Sequence, residues 1–378
     1  MCKGQALDFS REKLLEALRC VEISTHKKTP ILQQHKCVKF SVTRGRAIFQ
    51  TFDQGSSCDY VLNDPLPDDL SISVIVDHDK FLHSISKSSR KEIKIAFDPD
   101  SITIIAEGQS ILRPLNLSFA NTIPASEIFP MRDDLTPSEL VDIWRSVEFT
   151  ICQDTSKYEL KSIMYDGNWV STTGSHVSVY KTNIVSGDRI NIIPEFEVFV
   201  KLIGTPNIKI NRMEMKKHVV GGAIKHLVML IHTDIGRLRY MTVLNAYEFP
   251  DWRTIEKRFG TYENQFTIQR KNLLDALKRI EAFMDLHKFV ILNVTDSGLQ
   301  VSAQDETGEK ATETIDFQNA PAMSEPLYVP VSHDILNNIV SKNGEDLMRV
   351  MYKNASSPLR VTMGQKEYVV SPIVARIR

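Results

Sequence analysis

The sequence predicts an α+β protein made of three similar domains, and three observations carry that reading. One helical phrase occurs three times: LLEALRCVE from Leu14, LVDIWRSVE from Leu140 and LLDALKRIE from Leu273. Each copy sets two apolar residues before an acid and two after it, then a base, and ends on a β-branched residue and a Glu. A repeat at domain length is read before anything else, because missing it misassigns the whole fold. The stretches between copies mostly alternate apolar and polar with period two, the pattern of half-buried strands. Phe-Pro or Ser-Pro pairs then recur at Pro130, Pro250 and Pro372. Strands linked as hairpins, with helices on one face, make antiparallel sheet and the α+β class.

Each element follows from local chemistry. Ser10 is placed as the N-cap of a first helix whose Leu14, Leu15, Leu18 and Val21 form one apolar stripe. Strands are expected at 38–42, 47–49 and 71–76, and a second helix at 77–87 with Phe81, Leu82 and Ile85 inward. A hairpin over 93–105 turns at Asp98-Pro99-Asp100. A last strand is expected at 115–119, then a stop at Phe129-Pro130 and a polar linker at 131–134. The second repeat opens at Thr136-Pro137, where proline's missing N–H costs nothing. Its second helix is expected at 194–203, closed by Gly204, with strands at 208–210 and 238–244. The third repeat has helices at 270–281 and 332–342 and strands at 289–292, 299–301, 348–351, 359–363 and 368–370. The expected domains are 1–132, 133–262 and 263–378.

Composition narrows the function. At 42% hydrophobic and 25% charged, the 378 residues are those of an ordinary globular protein. Nothing approaches the ~18 apolar residues of a membrane span, and the opening MCKGQALDFSREK has no apolar signal region, so a cytoplasmic protein with no membrane partner is expected. Five cysteines without CxxC spacing indicate neither a disulfide framework nor a zinc site. There is no P-loop, HExxH, GxSxG or EF-hand pattern. Ser24-Thr25-His26-Lys27 fits SxxK in form only, since the partner motifs are missing. The expectation is a binding scaffold, not an enzyme, with no cofactor and no metal. A net charge of −1 leaves room for charges sorted by face.

On these residues a resemblance can be stated. The threefold repeat, Tyr158-x-Leu160, Thr172-x-Gly174, the FPDWR run from Phe249 and the terminal YVVSP from Tyr368 together resemble the bacterial-type β sliding clamp of the replicative DNA polymerase. The likeness runs in order along the whole chain; the family carries FPDY before an Arg, and YVVMP. It implies a head-to-tail homodimeric ring of six like domains, with helices lining a hole for double-stranded DNA. Such contacts would be to phosphates, independent of sequence. Carried over, DNA-binding candidates are His26, Lys27, Lys28, Lys80, Tyr158 and Lys278. Arg11, Lys13, Arg19, Lys87, Arg90, Lys91, Arg270, Lys271 and Arg279 are further basic residues of the repeated helices. For any single Lys a solvated helix face is the simpler reading; clustering on equivalent helices favours the DNA role. The family's second Tyr is Glu159 here. The expected dimer interface sets Leu117 and Phe119 against Phe283 and Met284.

The resemblance also implies a hydrophobic cleft that takes short peptides from the polymerase and clamp loader. One wall would be Leu160, Thr172, Gly174, Ser175, His176, Val177, Pro250, Thr254 and Ile255. The other would be Val369, Val370, Ser371, Pro372 and Ile373. Leu160, Val177 and Ile255 could equally be core. The chain departs from the family where Thr-Asp-Gly-His-Arg-Leu becomes Thr172-Thr173-Gly174-Ser175-His176-Val177, and where Met becomes Ser371. These departures imply a divergent clamp, with a phage or mobile element among the expected origins. Two competing classes are a clamp-derived peptide-binding protein that no longer encircles DNA, and an enzyme on an unrecognised site.

Overall fold

A computed structural model describes residues 5–25, 32–98, 101–117, 127–184, 186–254, 262–284, 288–320 and 327–373. The chain has two compact units, Met1–Val141 with Glu195–Leu244, and Asp142–Pro194 with Asn245–Arg378. Each contains one four-stranded sheet and one larger sheet, and the strand pairings are antiparallel throughout.

In the first unit, helices α1 (Arg11–Val21) and α2 (His78–Ser86) follow directly on strands Gln5–Ser10 and Ile72–Asp77. The stripe read from sequence is the buried one: Leu14, Leu15, Leu18 and Val21 are all buried, and Ala17 joins them. Ser10 occupies the N-cap of α1 without a side-chain cap bond, whereas Asp77 caps α2 by accepting from the Lys80 amide. The eight-stranded sheet runs in the order Ile72–Asp77, Cys37–Thr43, Arg46–Phe52, Ser56–Leu62, Gly236–Val243, Ala223–Thr233, Ile210–Val220, Ile128–Arg132. Helix α3 (Pro137–Val147) is capped by Thr136, whose hydroxyl accepts from the Glu139 amide at 3.2 Å. Helix α4 (Glu197–Ile203) turns its Phe199 and Val200 inward, and Gly204 ends it at φ −77°, in ordinary right-handed geometry.

The second unit holds helices α5 (Arg270–Ile280) and α6 (His333–Ser341), the latter capped by Ser332. Its nine-stranded sheet places Val177–Tyr180 against Lys366–Val370, so the second repeat pairs directly with the end of the chain.

Four expectations are corrected. The strand expected at 115–119 is not formed over its described part: Gln109–Leu112 is a strand, but Leu115 to Leu117 lies outside any strand. The Leu115 amide bonds instead to the Ile75 carbonyl. Phe129-Pro130 is no stop: it lies within Ile128–Arg132, which among the described residues is an edge strand with a neighbour on one side only, where proline is tolerated. The linker at 131–134 is not purely polar surface, since Arg132 is buried and held by Asp134 and Glu139, each at 2.7 Å. Strands Gln5–Ser10, Ser56–Leu62 and Ala223–Thr233 were not anticipated.

Candidate functional site

The two expected walls of the cleft are neighbours in one sheet. Val177 sits opposite Val369 in the register of the antiparallel pair, and Ser178 opposite Tyr368. Beneath them Met164, Val170, Val177, Val179, Phe249, Trp252 and Val369 form one buried cluster. The FPDWR run thus contributes anchors as well as a turn: Phe249 is 1% and Trp252 6% exposed. The Arg189 guanidinium donates to the Phe249 carbonyl. Arg253 pairs with Asp166 at 2.8 Å and lies over the Trp252 ring.

Leu160, Thr172, Val177, Val369 and Val370 are all buried, so in this structure they are packing groups under the surface. A ligand would meet Pro250, His176, Ser371, Pro372 and Ile373, which are half-buried, and Gly174, Ser175 and Thr254, which are exposed. Gly174 has φ +93°, and a Cβ there would come within 3.3 Å of Leu160 Cδ1, so this turn favours glycine twice over. The turn is closed by Thr172 Oγ1 donating to the His176 carbonyl at 2.8 Å and by Thr173 Oγ1 accepting from the His176 amide at 3.0 Å. Ile255 lies outside the described residues.

Three of the positions at which the sequence departs from the family motif, Ser175, His176 and Ser371, touch. The Ser371 amide donates to His176 Nδ1 at 3.3 Å, and Ser371 Oγ donates to the Ser175 carbonyl at 2.6 Å. Accepting at Nδ1 fixes the neutral tautomer with its proton on Nε2. Burial holds the His176 pKa below its usual value, because the charged form is the one desolvation disfavours. The segment continues with the Ile373 amide bonded to the Pro330 carbonyl at 2.8 Å.

The DNA candidates fall into different surroundings. Lys80 on α2 and Lys278 on α5 are exposed. Tyr158 is 52% exposed and stacks on Tyr247, itself 53% exposed, with centroids 5.4 Å apart. Lys161 lies 5.5 Å over the other aromatic partner, Tyr158. The Asn245 side chain donates to the Tyr158 carbonyl at 2.9 Å and accepts from the Tyr247 amide at 3.1 Å. Tyr158 thus has its aromatic neighbour at residue 247, a pairing that no local motif announces. His26, Lys27 and Lys28 lie outside the described residues. Other basic residues serve the fold. Arg11 donates to the Ile85 and Ser86 carbonyls at the end of α2, and Arg270 to the Val340 and Glu345 carbonyls at and just beyond the end of α6. Lys13 pairs with Asp64, and Arg279 with Glu313 at 2.8 Å.

Of the expected interface residues, Leu117 is half-buried, and Phe283 and Met284 pack, partly buried, against the core of their unit. Phe119 is outside the described residues. The exposed apolar group nearby is Ile111, 65% accessible on the edge strand Gln109–Leu112. Among the described residues, no three His, Cys, Asp or Glu side chains form a metal-holding group, and no helix is long and apolar enough to cross a membrane.

No family model and no curated protein matches the sequence, but solved structures do. The DNA polymerase III subunit beta of Pseudomonas aeruginosa matches with a TM-score of 0.81 at 16% identity, over 98% of this chain and 100% of that one. A sliding clamp from the same organism, bound to griselimycin, gives 0.79 at 17%, over 98% and 100%. The beta sliding clamp of C. crescentus gives 0.82 at 13%, over 99% and 100%. The chain therefore has the fold of the bacterial DNA polymerase III beta sliding clamps along its whole length.

Proposed function

We propose that the protein is a DNA sliding clamp, a non-enzymatic processivity factor of the cytoplasm. Two chains close head to tail into a ring around double-stranded DNA, and polymerase and clamp-loader peptides dock on the cleft beside His176. The observation that carries this reading is the end-to-end likeness of fold, since a fragment of a clamp could not close a ring. In the proposed scheme each chain contributes three domains, 1–132, 133–262 and 263–378.

Two features support the ring. The strand Gln109–Leu112 ends its four-stranded sheet with Ile111 exposed, and the strand Lys310–Ile315 ends the corresponding sheet of the other unit. An edge strand presents unpaired N–H and C=O groups, a template for pairing with another chain. Joining these edges between two copies is a heterologous contact that closes after two steps. For DNA, the exposed lysines Lys80 and Lys278, which have no side-chain partner among the described residues, and the Tyr158–Tyr247 stack are the proposed contacts, together with the segment His26 to Lys28. Phosphate contacts made this way leave the clamp free to slide.

The test is topological. Loaded on nicked circular DNA, the protein should stay bound through gel filtration and leave once the circle is linearised. Equal retention on circular and linear DNA overturns encirclement. A monomer by light scattering at micromolar concentration overturns the ring and leaves peptide binding as the function.

A further inference from the structure

The first unit carries a second concave site that the clamp reading does not use. It has a volume of about 580 Å³ and lies where the hairpin turn at Arg44-Gly45, the segment after Leu62 and the turn before Gly236 come together. Three arginines are among its lining residues, Arg44, Arg46 and Arg237, all exposed. None is hydrogen-bonded or ion-paired to another described residue. The acids there do not offset them. Asp64 is taken by Lys13, which leaves Asp68 facing three arginines. His232, on the same rim, is held by Glu214 at 3.3 Å.

The backbone at Arg44 adds a second observation. Strands Cys37–Thr43 and Arg46–Phe52 are joined by two residues, Arg44 at φ +50° and Gly45 at φ +68°. Left-handed geometry at both positions is what the favoured two-residue hairpin connection requires, and Asn, Asp or Gly is the usual first residue. Gly45 fits, because a Cβ there would come within 2.9 Å of the Leu66 carbonyl oxygen. Arg44 is held at a backbone cost that Asn would largely avoid. An outlier of this kind points to a use for the side chain.

We propose that this groove binds the phosphates of a small polyphosphate anion, a free di- or triphosphate or the phosphate tail of a nucleotide. Arginine's planar fork suits phosphate oxygens bidentately, and the volume lies within the range of small-molecule sites, about 300–1,000 Å³. Among the described residues no Phe, Tyr or Trp lines the groove, and its one aromatic ring, His232, is held by Glu214, so the phosphates and not the base are the part proposed to be bound.

The experiment is isothermal titration of the full chain at low salt with inorganic triphosphate, ATP, GTP and an oligothymidylate. Triphosphate, ATP and GTP should bind within about threefold of one another. Arg46→Ala or Arg237→Ala should each weaken binding by about tenfold or more, as expected for loss of hydrogen bonds to a charged group. Arg44→Asn separates function from folding: it should raise the melting temperature while weakening triphosphate. Three results overturn the proposal. One is no triphosphate binding while the oligonucleotide binds. Another is an Arg44→Asn variant with unchanged affinity. The last is an equal loss in Lys353→Ala, a cation far from the groove in sequence and not among its lining residues, which would mark non-specific charge attraction.

Discussion

Protonating His176 should loosen the outer wall of the proposed cleft. Its Nδ1 accepts the Ser371 amide at 3.3 Å, and a protonated Nδ1 cannot accept, so the bond is lost with the charge. A hydrogen bond of this kind contributes about 1 kcal/mol net, and at about 1.4 kcal/mol per tenfold that is roughly a fivefold change in local opening. The sign follows from the depressed pKa. The unfolded or detached state takes up the proton first, so the contribution is fully present above about pH 6.5 and is lost as pH falls toward the folded pKa. The assay is amide hydrogen exchange at Ser371, corrected for intrinsic exchange, at pH 7.5 and 5. Protection should drop about fivefold on acidification in the native protein. His176→Asn, which keeps an acceptor near the position of Nδ1 but does not titrate, should hold its protection across the range. Protection at Ser371 that is independent of pH in the native protein would falsify the clasp.

Two further expectations concern the first unit. His218, on strand Ile210–Val220, bridges Glu127 Oε2 at 2.9 Å and His226 Nδ1 at 2.8 Å, linking the residue just before edge strand Ile128–Arg132 to strand Ala223–Thr233. His218 is only 4% exposed, so His218→Ala should cost about 1–3 kcal/mol in chemical denaturation. Burial, first of all, and then the neighbouring His218 and Lys225 lower the His226 pKa, so this part of the stability should be lost as pH falls below about 6.5. A melt unmoved by either change refutes the bridge. Ile111→Asp, at an exposed edge position, should keep the native circular dichroism, with an intrinsic cost to the folded chain within about 0.5 kcal/mol, while converting the proposed dimer to monomer by light scattering. An intact dimer would place the interface on another edge.

The features legible in the sequence were those set by neighbours within a turn or two. The apolar stripe of α1, the starts of α3 near Thr136-Pro137 and of α6 near Ser332, and the reach of α5 follow from local spacing and turn chemistry. Ser10, the one residue read as an N-cap, makes no side-chain cap bond. What stayed hidden depends on contacts far apart in the chain. Phe129-Pro130 reads locally as a terminator, yet it forms an edge strand because Ile210–Val220 offers a partner on one side. Arg132 reads as linker, yet its burial is made possible by Asp134 and Glu139 together. The pairing of Ser56–Leu62 with Gly236–Val243, and of His176 with Ser371, leaves no local signature.

The repeat itself explains which basic residues could have been set aside sooner. Arg11 and Arg270 stand at the same place in their repeats, the first residue of α1 and of α5, and each aims its guanidinium at carbonyls at or just beyond the end of the second helix of its own repeat. The last carbonyls of a helix lack partners and carry partial negative charge, so a cation there is stabilising wherever the packing recurs. The recurrence of Arg11 and Arg270 is thus accounted for by the fold alone. Lys80 and Lys278 lack such a structural task, and so does the outer face of Tyr247. Positions of this kind, exposed and not explained by packing, are where a binding surface specific to this chain is to be sought.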